Sequence, residues 1–393
     1  MTPTTIAPPA RRDRHASLRA HVSTTIRLPV AERLRIGILA PPWFAVPPKG
    51  YGGIEVVVAL LADGLAARGH EVTLFASGGS QTTARLCSRF PEPPSHLLGQ
   101  STPELAHALL AVEHAEALDV LSEHSGPVGI IAAALAGIPT LHTVHGTLTD
   151  GHASSYELAL RAAPATRLAS LTFAQRRPAP DLPWLANLPN AIDLDRQILT
   201  TDSDRHYVAW LGRMCHEKGP DRAIIAARRA GLPIRLAGKM QAPEERRYFT
   251  DRVEPLLGAD AIYLGEVDWD GRNELFAGAL ALVAPLAWEE PFGLAMIEAM
   301  ACGVPVVATR RGSVPEVVEP GRSGLIVDTD DELPDAIHRA IGLDPRECRA
   351  SVAERFSPGV LVRGYERALT ALEAAPSLKD GRERTASRSR LRP

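Results

Sequence analysis

The chain has 393 residues, of which 45% are hydrophobic and 23% charged, and its formal net charge is -3. This is the composition of a globular protein long enough for two domains, and the near-neutral balance does not favour a nucleic-acid partner. The 4 cysteines are far apart and form no CxxC pair, which argues against a disulfide framework or a zinc site and fits a reducing compartment.

The ends of the chain differ in composition from the rest. Residues 1–33 and 374–393 are rich in arginine and lack periodicity, which predicts two disordered basic tails that are either solvated or in contact with acidic lipid. No apolar run reaches the ~20 residues that a membrane-spanning helix needs. The N-terminal arginines are not followed by the apolar segment of a secretory signal. We therefore expect a cytoplasmic protein.

Between the tails, short apolar runs alternate with helical patterns. Leu34 to Ala40 predicts a first strand, and Val72 to Ala76 predicts a second. Between them apolar residues recur at helical spacing, at Ile54, Val57, Val58, Leu61 and Leu65. Such β-α-β units build parallel sheets, so we predict an N-terminal α/β domain over residues 34–195.

The same alternation restarts near residue 207 and predicts a second α/β domain over residues 196–355. Strands are predicted at 207–211, 234–237, 262–264, 281–285 and 305–308, and helices at 221–230 and 294–302. The join is predicted at residues 183–204, which are rich in Pro, Asn and Asp. Open parallel sheets bind ligands outside the carboxyl ends of their strands, so two such domains predict two ligands that meet in a cleft.

A glycine-rich loop, Lys49-Gly-Tyr-Gly-Gly53, follows the first strand and opens the first helix. Gly52 and Gly53 would let the backbone approach a ligand closely, and a helix N-terminus stabilises an anion by ~0.3–1 kcal/mol. The loop matches neither the Walker pattern nor G-x-G-x-x-G. An ordinary tight turn is the alternative interpretation.

A second loop, Gly212-Arg-Met-Cys-His-Glu-Lys-Gly219, follows the first strand of the second domain. Arg213 offers a guanidinium fork that suits phosphate oxygens, and Lys218 offers a mobile point charge. Their position at a strand-to-helix junction favours phosphate binding. A solvated basic loop is the alternative.

A third stretch, Glu290-Pro-Phe-Gly-Leu-Ala-Met-Ile-Glu298, leads from a strand into a helix. Gly293 and Leu294 would expose N–H groups at the helix start, and Glu298 could accept two hydrogen bonds from vicinal hydroxyls. Spacing alone is equally typical of two surface glutamates. The apolar surroundings of Glu298 favour a paired or ligand-bound carboxylate.

Two isolated histidines, His124 and His145, end apolar runs in the first domain. Taken alone, such positions are more typical of structure than of function. No set of His, Asp and Glu has metal-ligand spacing, and no Gly-x-Ser-x-Gly elbow is present. We predict no metal site.

In this order, these motifs resemble the retaining glycosyltransferases of family 4, which have the GT-B fold. The resemblance runs from about Leu34 to Tyr365. It is carried by three sequences, Gly-Gly-Ile-Glu with Gly-His-Glu-Val-Thr-Leu-Phe-Ala within residues 52–76, the loop at 212–219, and the E-x7-E motif with its flanks at 290–309. It implies two facing Rossmann-like domains and a final helix, residues 356–373, that crosses back to the N-terminal domain.

The resemblance also implies roles for the second domain. Arg213 and Lys218, in the loop that begins at Gly212, would hold the donor diphosphate. Glu298 would bind the ribose hydroxyls and Glu290 the transferred sugar. The turn formed by Phe292, Gly293 and Leu294 would present N–H groups to sugar and phosphate.

In the first domain, the resemblance implies that Gly52 and Gly53 approach the diphosphate or the acceptor, and that His145 lies near the primary hydroxyl of the sugar. Two positions depart from the family pattern. Ala191 replaces a more usual glycine, and Thr172 stands in Leu171-Thr-Phe173 where an Ile-Ser-Asp-like run is common, which leaves its role open.

The implied activity is transfer of a sugar from a nucleoside diphosphate sugar, with retention and without a metal or cofactor, to an unknown hydroxyl on a carbohydrate, a lipid-linked glycan or a secondary metabolite. A GT-B epimerase, a phosphorylase and a glycosyltransferase-like binding subunit are the alternatives. A phosphorylase would need pyridoxal phosphate on a lysine. A binding subunit would be favoured by damaged motifs, whereas these motifs are intact.

Overall fold

The fold is described from a computed structural model, which covers residues 33–50, 52–149, 151–201 and 204–375. The two predicted tails lie outside these residues except for Arg33, Ala374 and Ala375. Among the described residues, no helix is long and apolar enough to cross a membrane.

Two parallel sheets organise the chain. The first has the order β3-β2-β1-β4-β5-β6-β7 and the second the order β10-β9-β8-β11-β12-β13. The strands of the first sheet are β1 (Arg35–Leu39), β2 (Glu71–Phe75), β3 (Arg85–Cys87), β4 (Val120–Glu123), β5 (Thr140–Thr143), β6 (Thr166–Ser170) and β7 (Trp184–Asn187). The strands of the second are β8 (Tyr207–Leu211), β9 (Ile234–Ala237), β10 (Ala261–Tyr263), β11 (Ala279–Ala284), β12 (Val306–Thr309) and β13 (Gly324–Val327).

Helices connect the strands in both halves. The N-terminal domain has α1 (Gly53–Ala67), α2 (Ser101–Glu113), α3 (Pro127–Ala136) and α4 (His152–Ala162). The remaining helices are α5 (Pro220–Arg229), α6 (Pro243–Tyr248), α7 (Trp269–Ala277), α8 (Leu294–Ala301), α9 (Val314–Val317), α10 (Leu333–Ala340), α11 (Pro345–Arg355) and α12 (Pro358–Glu373). The two Rossmann-like domains form the GT-B architecture that the sequence predicts.

Each sheet is buried by the apolar faces that the sequence pattern indicates. Val57, Leu61 and Leu65 of α1 are fully buried against the first sheet. The central strands β1 and β8 are buried along almost their whole length, as expected when helices cover both faces of a parallel sheet.

The predicted join at residues 183–204 begins too early. Residues 184–187 form β7, the edge strand of the first sheet, paired with β6. This strand lies between two prolines and is only four residues long, so its sequence reads as a linker. The chain therefore leaves the first sheet after Asn187 and enters the second at Tyr207.

Helix α12 returns to the N-terminal domain. Leu361, Val362 and Tyr365 are buried in the same apolar core as α1. The Tyr365 hydroxyl lies 2.8 Å from Thr143 Oγ1 at the end of β5. The chain thus returns from the C-terminal domain to pack its last helix on the N-terminal domain.

Candidate active site

A cleft of about 1020 Å³ separates the two domains at the carboxyl ends of their strands. The N-termini of α1 and α8 meet there, because a β-carbon added to Gly53 would lie 2.8 Å from Leu294 Cδ1. Their caps, Gly52 and Gly293, have φ values of 149° and 86°, which residues with a side chain rarely adopt. Two helix N-termini therefore open into one space, and the positive end of a helix dipole favours an anion.

Lys218 and Glu290 form the polar centre of the C-terminal wall. The Lys218 ammonium donates a hydrogen bond to Glu290 Oε2, and the Trp288 indole N–H donates to the same oxygen at 3.0 Å. The ammonium also lies 4.8 Å from the centre of the Trp288 ring. Because Glu290 is already held by two donors, it is better suited to orient a ligand than to attack one.

Arg213 lies across the same wall, where its Nη1 donates to Glu245 Oε1 at 3.0 Å. The second Glu245 oxygen accepts the backbone N–H of Gln241 at 2.8 Å. Gly212 packs against Trp210, and its backbone passes so close to Gly238 that a β-carbon there would lie 1.6 Å from the Gly212 carbonyl oxygen. The loop at 212–219 is thus fixed at its base and carries two cations toward the cleft.

Glu298 is nearly buried and its two oxygens differ. Oε1 accepts a hydrogen bond from Arg272 Nη1 at 2.8 Å, whereas Oε2 is buried without a protein partner. Arg272 stacks over Trp269, with 5.0 Å to the ring centre. A buried acceptor without a donor is costly, so this oxygen is suited to a ligand hydroxyl.

The turn at residues 292–294 lines the cleft, but the side chain of Phe292 is buried. The Phe292 ring packs edge-on against Phe356 at 5.5 Å, inside the C-terminal core. Its carbonyl accepts the Ser313 hydroxyl at 2.8 Å. Because its ring is buried in the core, Phe292 can act at the cleft only through its backbone. Leu294 lines the cleft directly.

His145 lies on the N-terminal wall, and its ring is hydrogen-bonded to a second histidine of the same domain. His124 Nδ1 is 2.9 Å from His145 Nε2, and Ser122 Oγ is 2.9 Å from His124 Nε2. Burial, aided by the charge of His142, lowers the pKa of His145 to about 3, and burial lowers the pKa of His124 well below its usual value. Both rings are therefore neutral near pH 7 and share one fixed hydrogen bond.

Thr172, whose role the sequence leaves open, lies between the domains. Its hydroxyl donates to the Pro291 carbonyl at 3.1 Å, inside the Glu290–Glu298 stretch. Gln175 follows one turn later and donates to the carbonyls of Val144 and Gly146 at 2.8 and 2.7 Å, which flank His145. This Thr172–Gln175 bridge joins the loop that carries His145 to the stretch that carries Glu290. Ala191, the second departure, is buried in the N-terminal core.

Three residues of the cleft escape local sequence patterns. Arg272 comes from the middle of α7, and Lys239 follows β9 with its side chain nearly buried. Glu55 is 3% exposed at the start of α1, and burial raises the pKa of its carboxyl to about 7. Glu55 belongs to the Gly-Gly-Ile-Glu sequence, but only the fold shows that it lines the cleft.

Within the described ranges, no group of three or more His, Cys, Asp or Glu side chains is arranged to hold a metal ion. The positive groups at the cleft are instead Arg213, Lys218, Lys239 and Arg272.

Comparisons with known proteins give the same division of the chain. The model of glycosyl transferases group 1 matches residues 191–355, and the model of Glycosyltransferase Family 4 matches residues 51–196. Together they cover most of the chain.

Two curated relatives are similar over most of their length. An alpha-maltose-1-phosphate synthase of Mycolicibacterium smegmatis is 28% identical, with 72% of this chain and 82% of that protein aligned. A D-inositol 3-phosphate glycosyltransferase of Acidothermus cellulolyticus is also 28% identical, over 80% of each chain.

Among solved structures, AviGT4, a glycosyltransferase involved in avilamycin A biosynthesis, superposes with a TM-score of 0.65 at 26% identity. The alignment covers 86% of this chain and 98% of that one. Anabaena HepE, solved in complex with UDP-glucose, has a TM-score of 0.67 at 21% identity, over 86% of this chain and 100% of that one, and supports the fold alone.

Proposed function

Because the chain belongs to glycosyltransferase family 4, with the GT-B fold, we propose that it transfers a sugar from a nucleoside diphosphate sugar to a hydroxyl acceptor with retention at the anomeric carbon. The observation that carries this proposal is the convergence of Lys218, Arg213 and the N-terminus of α8 on one cleft wall. These are the groups that a departing diphosphate requires.

The donor would lie along the C-terminal wall. The free oxygen of Glu298 suits a ribose hydroxyl, and Glu290, held by Lys218 and Trp288, suits the hydroxyls of the transferred sugar. His145 would meet the sugar from the opposite wall as a neutral hydrogen-bonding group. The N–H groups at Gly293 and Leu294 would bind phosphate oxygens.

The chemical step needs charge stabilisation more than a nucleophile. The bond from the anomeric carbon to the diphosphate breaks, the acceptor oxygen bonds to the same face, and the acceptor proton passes to an oxygen of the departing diphosphate. Arg213, Lys218 and the helix N-terminus would stabilise the developing charge, so we propose that no metal is required. The two hydrogen bonds that Glu290 Oε2 accepts make this oxygen a poorer nucleophile, which supports the front-side route over a covalent intermediate.

A thermal-shift panel of UDP-, GDP-, ADP- and dTDP-sugars in the presence of EDTA tests donor binding. A ligand at 100 times its dissociation constant adds about 2.7 kcal/mol to the free energy of unfolding. We expect one nucleotide class to stabilise the protein, and transfer to follow with a matching acceptor. Failure of every nucleotide sugar to bind would contradict the proposed transferase activity. Binding only after divalent metal is added would contradict the proposal that no metal is required.

The variant Lys218→Ala tests the role of the ammonium. Loss of a preorganised charge at a departing group costs about 10²–10³ in rate, so we expect kcat to fall by this factor. Lys49→Ala, an exposed lysine in the N-terminal loop, serves as the matched control and should retain activity. Both variants need melting temperatures close to that of the parent. Normal transfer by Lys218→Ala would exclude the assigned role.

A further inference from the structure

The two walls of the cleft differ in charge. Among the described residues that line the cleft, each lysine and arginine belongs to the C-terminal domain, namely Arg213, Lys218, Lys239 and Arg272. The ionisable side chains at the N-terminal wall are Glu55 and His145, and His145 is neutral near pH 7. Lys49 precedes Gly50 but is solvent-exposed and does not line the cleft. In the described part of the chain, the wall opposite the donor therefore presents no cation of its own to an acceptor phosphate.

Further acidic groups lie behind this wall. Ser125 lines the cleft, and its backbone N–H and hydroxyl both donate to Glu123 Oε1. Glu104 lies beside the same turn, 3.9 Å from the position of a β-carbon added to Gly126. Burial raises the pKa of Glu104 to about 7, with the charge of Glu123 as the second cause. A phosphate placed near Ser125 would meet carboxyl groups, which disfavours its binding.

Apart from Ser95 and Asn190, the other side chains of the N-terminal wall are mainly apolar. Its lining side chains include Trp43, Phe44, Ile54, Val56 and Leu98. Leu98 is 51% exposed, and Phe44, Ile54 and Val56 are half-buried, so these side chains present apolar surface to the cleft. Aromatic and aliphatic surface of this kind binds rings and chains of low polarity.

We propose that the acceptor is an uncharged molecule that places an apolar ring or chain against Phe44 and Leu98, and that phosphorylated acceptors are excluded. This inference rests on the proposed function, since it assigns the acceptor to the wall opposite the donor. The proposal distinguishes this chain from the two curated relatives described above, because each of their names refers to a phosphorylated small molecule.

The test compares matched acceptors with the full chain and the nucleotide sugar selected by thermal shift. The probes are the phenyl β-glycosides, methyl β-glycosides and 6-phosphates of glucose, galactose and mannose, and products are detected by mass spectrometry. At least one phenyl glycoside should exceed its methyl partner tenfold or more in kcat/KM, which corresponds to about 1.4 kcal/mol. The matching 6-phosphate should be turned over more slowly than either glycoside.

Two variants of one exposed residue assign the preference to the wall. Leu98→Ser should remove most of the phenyl advantage, and Leu98→Arg should raise turnover of the 6-phosphate, while Leu135→Ser should change neither. Leu135 is 68% exposed on α3 and does not line the cleft, so it is a matched control.

Several outcomes would overturn the inference while leaving the proposed function intact. These are faster turnover of a 6-phosphate than of its phenyl glycoside, equal turnover of phenyl and methyl partners, or no turnover of any probe by a protein that binds its donor. Lys239 lies 5.9 Å from the Phe44 ring, so phosphate turnover that is lost in Lys239→Gln would place an acceptor phosphate at that cation. Failure to bind any donor would instead contradict the proposed function.

Discussion

The ion pair between Glu298 and Arg272 uses only one oxygen of the carboxylate, so the second oxygen can accept a hydrogen bond from a ligand. Their side chains are 6% and 16% exposed, so the pair is largely removed from solvent. Glu298 Oε2 and Arg272 Nε are both buried without a protein partner. An unsatisfied buried polar group costs about 1–3 kcal/mol. A ligand that supplies hydroxyl groups would offset part of this cost, and Arg272 would keep the carboxylate in position.

The variant Glu298→Gln should therefore weaken donor binding more than it slows transfer. A hydrogen bond to a charged group contributes about 1.5–3 kcal/mol, so we expect the donor KM to rise by about 10- to 100-fold. Initial rates at varied donor concentration measure this change. The parent should also bind the nucleoside diphosphate more tightly than its 2′- and 3′-deoxy analogues, and the variant should lose that discrimination. An unchanged KM with intact discrimination would place the ribose elsewhere.

The residues of the site differ in how far the sequence predicts them. Gly52, Lys218, Gly293 and Glu298 lie in strand-to-helix junctions, where local patterns indicate ligand contact. Arg272 lies mid-helix among polar residues, and only the tertiary fold brings it to Glu298. No short window of sequence contains that contact. The sequence also does not indicate which way the Phe292 side chain points. Its ring packs in the C-terminal core, whereas its backbone lies at the cleft.

At the scale of elements, the Thr172–Gln175 bridge couples the two walls of the cleft. The variant Thr172→Val removes the hydrogen bond to the Pro291 carbonyl and the one that Thr172 Oγ1 accepts from Gln175 N at 3.3 Å, whereas Thr172→Ser retains the hydroxyl. Small displacements of catalytic groups are costly, and one of about 1 Å can lower the rate by 10². We expect kcat to fall about tenfold or more in Thr172→Val and to stay within about twofold in Thr172→Ser.

The comparison of kcat with the melting temperature distinguishes a positioning role of Thr172 from a role in stability. If Thr172 only supports the fold, Thr172→Val should lower the melting temperature while the remaining folded protein keeps its kcat. If the bridge positions His145, kcat should fall at a temperature where both variants are fully folded. Gln175→Leu should reproduce the effect, because it releases the carbonyls on both sides of His145.

Helices α1 and α12 cross at a glycine. A β-carbon added to Gly64 would lie 2.3 Å from Val362 Cγ2, closer than atoms of a packed core tolerate. Alanine in a helix interior is ordinarily more stable than glycine by about 1 kcal/mol. Here overpacking costs about 1–3 kcal/mol, so we expect Gly64→Ala to be destabilising overall.

A double variant provides the control for this crossing. Val362→Ala creates space beside Gly64, so Gly64→Ala should be neutral or stabilising in that background. Urea unfolding measures the free energy of each of the four proteins in the cycle. Equal effects of Gly64→Ala in both backgrounds would show that the contact with Val362 does not determine the stability.

Sequence periodicity predicts the elements that carry strong apolar patterns and misses the weak ones. The strands around α1 and α8 were predicted because each is a compact apolar run beside a clear helix or turn. The residues of β7 are instead predicted as part of the linker, because Pro183 and Pro189 flank a short run that also contains asparagine. Its pairing with β6 depends on contacts that are distant in sequence. The Thr172–Gln175 bridge cannot be predicted from local sequence either, because its hydrogen bonds join residues that are distant in sequence.

At the scale of the whole molecule, buried histidines make the N-terminal domain sensitive to acid. Burial lowers the pKa of His107 to about 4 and of His145 to about 3, and it also lowers the pKa of His124 well below its usual value. All three belong to the N-terminal domain. Below pH 6.5 the unfolded chain binds protons at these histidines that the folded chain does not, so their contribution to stability falls as the pH falls.

Two acids of the same domain oppose this effect over part of the range. Burial raises the pKa of Glu55 and Glu104 from 4.5 to about 7, so between pH 4.5 and 7 the folded chain binds protons at these carboxyls that the unfolded chain lacks. Their contribution to stability therefore increases as the pH falls from 7 to 4.5. Below pH 4.5 both states are protonated at these two carboxyls, so of these five groups only the histidines still contribute to the pH dependence.

Between pH 6.5 and 4.5 the two carboxyls offset two of the three histidines, so we expect the N-terminal domain to lose about 1.4 kcal/mol of stability per pH unit. Below pH 4.5 the loss should steepen to about 1.4 kcal/mol per pH unit for each histidine that stays neutral in the fold. Brief pepsin digestion between pH 5 and 3, followed by mass spectrometry, detects which domain opens. The first cleavages should fall within residues 52–149, and His107→Phe should shift their onset to lower pH, because phenylalanine fills a buried site without binding a proton. First cleavages in the C-terminal domain, or an onset unchanged in His107→Phe, would show that these histidines do not set the acid limit of the fold.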